Sequence, residues 1–170
     1  MKDKAYWEKF YETFERNEPS PFAEWARPRI TGTRVYDIGC GNGRDTAYLE
    51  AIGVDPMSPQ GANFSHLTAE TFFECWESFP SDTVYARWFL HAVEERVEDE
   101  LLEWTQGQLF VEARAIGDEL DGSHYRRPIN PEVFLQKLLD FDYEIIYYEL
   151  GRSFSYETPL LFRVEAYRKH

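Results

Sequence analysis

Val35-Tyr36-Asp37-Ile38-Gly39-Cys40-Gly41-Asn42-Gly43-Arg44-Asp45 is the stretch that decides the fold. Arg34 to Ile38 is a short β-prone run, it enters three glycines at 39, 41 and 43 without a spacer, and Arg44 to Glu50 then has the composition of a helix. Strand, glycine turn and helix in that order bring the backbone close to a ligand with no Cβ atoms in the way, at the positive end of the helix. Asp37, two residues before the first glycine, offers a carboxylate to loop N–H groups or to the ammonium of an amino-acid ligand, and it disfavours a pyrophosphate. A second short strand, Ile52-Gly53-Val54-Asp55, ends in an acid and is closed by Pro56. Asp55 is placed to accept hydrogen bonds from the vicinal hydroxyls of a ribose. A GxGxG run alone also matches simple turns, but a glycine turn and a ribose acid in this strand–helix–strand context predict a nucleoside-bearing cofactor.

On the N-terminal side, Tyr6, Trp7, Phe10, Tyr11 and Phe14 form one stripe of an amphipathic helix over 5–14. Asn17 to Pro21 breaks it, and Ser20-Pro21 is an N-cap and first-turn proline for a second helix through Trp25, ended by Pro28. On the C-terminal side, Phe64 to Leu67 is a third strand, followed by a helix between Glu70 and Phe79 from the spacing of Phe72, Cys75, Trp76 and Phe79. Thr83 to Trp88 is a strand, Val93, Val97, Leu101 and Trp104 mark a helix, and Gln108 to Ala113 is again a strand. Asn130-Pro131-Glu132 starts a helix that ends near Asp140. Tyr143 to Leu150 and the alternating Phe162, Val164 and Ala166 give two last strands, expected to be antiparallel neighbours. The prediction is one α/β domain over 1–170, a doubly wound, mostly parallel sheet with a C-terminal antiparallel β-hairpin. Such sheets bind ligands at the carboxyl ends of their strands.

Composition narrows the partners. A chain of 170 residues with 43% hydrophobic and 17% aromatic content is expected to fold as one domain. No apolar run is long enough to cross a bilayer and the first residues lack an export signal, so a cytoplasmic protein is expected. Cys40 and Cys75 are too few for a disulfide framework and are predicted to be free thiols. With 18 Lys+Arg against 31 Asp+Glu, the net charge of −13 disfavours nucleic acid and anionic membranes as partners. The acidic run Glu94, Glu95, Glu98, Asp99 and Glu100 is expected to be a solvated helix face, and no metal-binding set or nucleophile triad is apparent.

The stretch 35–45 resembles motif I of the class I, Rossmann-like S-adenosylmethionine-dependent methyltransferases. Tyr85-Ala86-Arg87-Trp88-Phe89-Leu90-His91-Ala92 resembles the segment leaving their fourth strand, and Phe110-Val111-Glu112-Ala113-Arg114 resembles their fifth. Tyr6-Trp7 through Ser20-Pro21-Phe22-Ala23, together with Glu112-Ala113-Arg114 and His124-Tyr125-Arg126-Arg127, resembles a compact bacterial and phage-type subgroup, some of whose relatives modify cell-surface polysaccharide. The resemblance implies S-adenosylmethionine as cofactor and S-adenosylhomocysteine as its product. It places Asp37, Gly39, Gly41 and Gly43 at the methionine part, Asp55 at the ribose and Glu70 at the adenine, and it adds Cys40, Pro56 and Arg87 to the cofactor set. It makes residues 1–27 a helical lid in which Tyr6, Trp7, Tyr11 and Phe22 cover the cofactor. Two departures stand out: Asp55 follows Asp37 by only 18 positions, and the helix the family places between the second and third strands is expected to be missing.

For the transfer itself, His91 is a candidate general base or a structural hydrogen-bonder, and Glu112 and Arg114 either face the acceptor or form an internal ion pair. His124, Tyr125, Arg126 and Arg127 either bind an anionic acceptor or tie down their own loop. The implied activity is methyl transfer to a small-molecule or glycan-like, anionic acceptor. The alternative is a non-catalytic protein that holds S-adenosylmethionine or S-adenosylhomocysteine. A nicotinamide-dependent oxidoreductase fits less well, because the third glycine falls one position early for GxGxxG and Asp37 would face a pyrophosphate.

Overall fold

The computed structural model describes residues 4–13, 17–117, 125–152 and 160–170. Its centre is a seven-stranded sheet in the order β3-β2-β1-β4-β5-β7-β6. The strands are β1 (Arg34–Ile38), β2 (Ile52–Val54), β3 (Phe64–Ser65), β4 (Asp82–Arg87), β5 (Gln108–Arg114), β6 (Tyr143–Arg152) and β7 (Leu160–Arg168). The first five are mutually parallel, and β7 lies antiparallel between β5 and β6. The order reverses at β1, whose two neighbours are β2 and β4, so a crevice opens at the carboxyl ends of these strands.

Among the described residues six α-helices accompany the sheet: α1 (Lys4–Thr13), α2 (Pro21–Ala26), α3 (Arg44–Leu49), α4 (Ala69–Cys75), α5 (Glu95–Trp104) and α6 (Pro131–Asp140). Strand alternation sends Tyr36, Val84, Ala86, Leu109 and Val111 into the larger core with α4, α5 and α6. Their neighbours Val35, Tyr85 and Phe110 face the smaller core under α2 and α3. Local chemistry sets the helix starts. Ser20 Oγ accepts from Ala23 N at 3.1 Å with Pro21 next in line, and Asn130 Oδ1 accepts from Glu132 N at 3.0 Å with Pro131 in the first turn.

The predicted α/β fold with its closing hairpin is the fold observed, and no helix intervenes between β2 and β3. Three local expectations are corrected. The helix predicted from Glu70 to Phe79 starts after the Thr68 cap and stops at Cys75, leaving Trp76 and Phe79 at 54% and 47% exposure. The third strand is only two residues long. Glu98, expected on a solvated face, is buried, because Arg127 and Lys137 both reach it across α5 and α6. Among the described residues, no helix is long and apolar enough to cross a membrane, and Cys40 and Cys75 are free thiols.

Candidate functional site

A cavity of about 240 Å³ opens at the carboxyl ends of β1, β2 and β4. That is close to the lower end of the range of about 300–1,000 Å³ common for small-molecule sites. The glycine turn after β1 forms one wall. Gly39 has φ +75°, and a Cβ there would stand 2.6 Å from the Phe89 ring, so only glycine lets Phe89 pack against the turn. Gly43 has φ +76° and opens α3; a Cβ on it would meet the Phe64 ring at 2.5 Å. Phe64 reaches the turn from β3, where it stands in register with Gly53 of β2.

Asp55, Pro56 and Met57 line the cavity just beyond β2. Asp55 Oδ2 accepts from Gly41 N at 3.2 Å and Oδ1 from Met57 N at 2.7 Å. Burial raises the Asp55 pKa while these two N–H groups oppose the rise. Each oxygen keeps a second lone pair for a diol, and the carboxylate braces the glycine turn at the same time. Asp37 lies deeper, buried and in register with Gly53 and Tyr85. Thr46 Oγ1 donates to its Oδ2 at 2.6 Å. Burial, reinforced by the charges of Asp45 and Asp55, pushes its pKa up to about 7 against the Thr46 hydrogen bond and the Arg87 charge. Burial also raises the Cys40 thiol.

Thr68, Ala69 and Glu70 at the start of α4 form the far wall, and Trp7 of α1 and Tyr125 complete the lining. Trp7 packs edge-on against Tyr6 and Phe10, with centroids 5.1 and 5.8 Å apart. Tyr11 lies on the same helix, with its side chain outside the described residues. Phe22, expected in the lid, is instead in the smaller core, stacked on Trp25 at 5.5 Å and on Tyr85 at 5.2 Å.

The residues expected to carry the chemistry are held by other protein groups. Glu112 stands in register between Arg87 and Arg163 on adjoining strands, with Glu149 beyond. Arg87 Nε and Trp88 Nε1 both donate to Glu112 Oε1 at 3.1 Å, and Arg163 donates Nε to Glu112 Oε2 at 2.8 Å and Nη1 to Glu149 Oε2 at 3.1 Å. His91 is buried, and its Nδ1 accepts from Arg114 N at 3.3 Å, which leaves the ring proton to Nε2. The Arg114 guanidinium lies over the Trp88 ring at 5.4 Å. Arg127 pairs with Glu98 at 2.5 Å, Arg126 is half-buried, and His124 lies outside the described residues.

Two features had no counterpart in the sequence reading. Trp88 lines the cavity with φ +57°, a left-handed conformation that costs a non-glycine residue roughly 1–2 kcal/mol and leaves no trace in the sequence. Asp45 accepts from Ser20 N and Ser20 Oγ, each at 2.7 Å, and from Tyr85 OH at 2.9 Å, all in the buried layer. An acid in the first turn directly after the glycines is visible in the sequence, but its partners lie 25 and 40 residues away.

No protein-family model matches the sequence, and neither does any curated protein. Solved structures do match. An Archaeoglobus fulgidus S-adenosylmethionine-dependent methyltransferase superposes with TM-score 0.65 at 18% identity, covering 86% of this chain and 92% of that one. An Anabaena variabilis S-adenosylmethionine-dependent methyltransferase gives 0.63 at 18%, covering 98% and 93%. The Burkholderia thailandensis 1,6-didemethyltoxoflavin-N1-methyltransferase, solved with 1,6-didemethyltoxoflavin and S-adenosylhomocysteine bound, gives 0.65 at 18%, covering 88% and 76%. With its seven-stranded order, its antiparallel β7 and these matches, the chain has the Rossmann-like fold of the class I S-adenosylmethionine-dependent methyltransferases.

Proposed function

We propose that the protein is a methyltransferase that uses S-adenosylmethionine and acts on a small-molecule or glycan-like acceptor. The observation that carries this is Asp55, which lines the cavity at the end of β2 while its carboxylate holds Gly41 of the glycine turn. The residues present fit the cofactor. The glycine turn, backed by the buried Asp37, would receive the amino-acid end, Asp55 the ribose diol, and Pro56, Met57 and Glu70 would flank the adenine. Trp7 presents an aromatic surface beside the sulfonium.

When bound, the cofactor supplies an electrophilic methyl group on a positively charged sulfur. The chain's part is to align the acceptor, exclude water and stabilise the charge. Trp88 and Tyr125 bound the acceptor side, and small acceptors accord with the Burkholderia enzyme, crystallised with 1,6-didemethyltoxoflavin. His91 and Glu112 serve as scaffold in this reading: the His91 Nδ1 lone pair accepts from Arg114 N, and the buried Glu112 carboxylate is charge-paired with Arg87 and Arg163 and accepts from Trp88. Arg127 is paired with Glu98, which weakens the case for an anionic acceptor.

Calorimetric titration with S-adenosylmethionine, S-adenosylhomocysteine and NAD tests the proposal. The first two bind and NAD does not, and Asp55→Ala weakens both by at least about tenfold, the scale of about 1.4 kcal/mol for hydrogen bonds to a charged group. A folded wild-type protein that binds neither methionine-derived ligand overturns the reading.

A further inference from the structure

Trp88 is held in a conformation that its own side chain disfavours. Its φ of +57° lies in the left-handed region, where a bulky aromatic residue persists only if its surroundings over-determine it. They do so through one partner. Trp88 donates from N to Glu112 O at 2.7 Å and from Nε1 to Glu112 Oε1 at 3.1 Å. Arg87, whose Nε donates to the same Oε1, lays its guanidinium over the indole, 4.4 Å from the centroid. Backbone and side chain of Trp88 are both fixed to β5 in this way, and the residue forms part of the cavity wall. A strained backbone kept at a cavity points to a ligand contact.

The chemistry of that wall selects the ligand. Phe89, Ala92 and Val93 follow Trp88 along the chain and line the same cavity. The indole N–H is taken by Glu112, so this stretch presents rings and methyl groups in place of hydrogen bonds. A sugar hydroxyl turned toward it loses water and gains no partner, whereas a flat aromatic molecule gains contact area and ring packing. The charged residues of the lining, Asp55, Glu70 and Glu94, are all acids. Among the described residues no lysine, arginine or histidine lines the cavity, so an anionic group finds no counter-charge there.

We infer that Trp88 is the acceptor platform and that the methyl acceptor is a planar aromatic molecule without an anionic group. The inference rests on the cofactor reading above and chooses among the small-molecule and glycan-like acceptors named there.

Calorimetric titration of protein saturated with S-adenosylhomocysteine tests this, with coumarin, methyl β-D-glucopyranoside and coumarin-3-carboxylate as probes. Coumarin binds at least about tenfold tighter than the sugar or the carboxylate. Trp88→Gly removes the ring at a backbone angle that glycine adopts freely, so the fold is kept. It weakens coumarin at least about tenfold and S-adenosylhomocysteine less than about threefold. If it fails to fold by circular dichroism, Trp88→Asn, which also tolerates the left-handed region, takes its place. A sugar or carboxylate that binds as tightly as coumarin overturns the acceptor class. Unchanged coumarin affinity in the folded variant, or no coumarin binding by the saturated parent protein, overturns the platform and leaves the cofactor reading standing. An equal loss for S-adenosylhomocysteine also overturns it, by giving Trp88 to the cofactor. No binding of S-adenosylhomocysteine by the parent protein overturns the cofactor reading and the inference with it.

Discussion

Asp37 is an acid whose environment departs far from its ordinary state. Burial among Asp45 and Asp55 lifts its pKa to about 7, against about 3.9 in the unfolded chain. Below about pH 4 both states hold the proton; between about 4 and 7 only the native state does, so the unfolded chain binds fewer protons and stability falls as pH rises through that window. Above about 7 both states have lost the proton and the contribution is level. This one group accounts for about 4 kcal/mol across the window. Asp37→Asn removes the slope, so urea unfolding at pH 4.5 and 7 should find the variant gaining on the parent protein as pH rises; a constant difference overturns the assignment. In the proposed function this buried acid stands behind the glycine turn that would receive the cationic end of the cofactor. The positions of Asp37 and Asp55 were legible because Asp37 stands two residues before Gly39 near the end of β1 and Asp55 directly precedes Pro56 after β2. Trp88 was not, because a positive φ on tryptophan is imposed by its backbone bond to Glu112 O at 2.7 Å rather than by its own preference.

Helix starts were legible at the scale of elements because a cap is a local bond, as at Ser20-Pro21 and Asn130-Pro131. The end of α4 was not, because Trp76 and Phe79 continue the helical spacing without being buried. Partners between elements were also hidden. Arg87, Glu112, Arg163 and Glu149 form a row of alternating charge across β4, β5, β7 and β6, and reading it requires both strand order and register. Arg163 is 1% exposed, so losing Glu112 leaves a buried charge with only the half-exposed Glu149 carboxylate against it. Glu112→Ala should therefore cost roughly 3–5 kcal/mol in urea unfolding, with Glu112→Gln losing less. A Glu112→Ala protein of parent stability would show that the row does not hold the strands, and would reopen a chemical role for this carboxylate.

For the whole molecule, the net charge of −13 is a self-repulsion that the fold carries in every state of the site. Raising ionic strength from about 0.01 M to about 0.15 M shortens the Debye length from about 30 to about 8 Å, so the thermal midpoint should rise with sodium chloride over that range. A falling midpoint would mean that the ion pairs of Lys137 with Glu95, Glu98 and Asp99 outweigh the repulsion. The sequence by itself determined the alternation of strands and helices, the glycine turn, the two acids at the ends of β1 and β2, and the absent helix after Asp55. Each of these is written in neighbouring residues, where periodicity, capping and backbone freedom act. Only the tertiary structure decided that Phe22 is core, that Glu98 and Glu112 are paired, that His91 accepts from the backbone, and that Asp45 joins the start of α3 to the cap of α2. Those outcomes depend on contacts between residues far apart in the chain, which exist only once the sheet order brings them together.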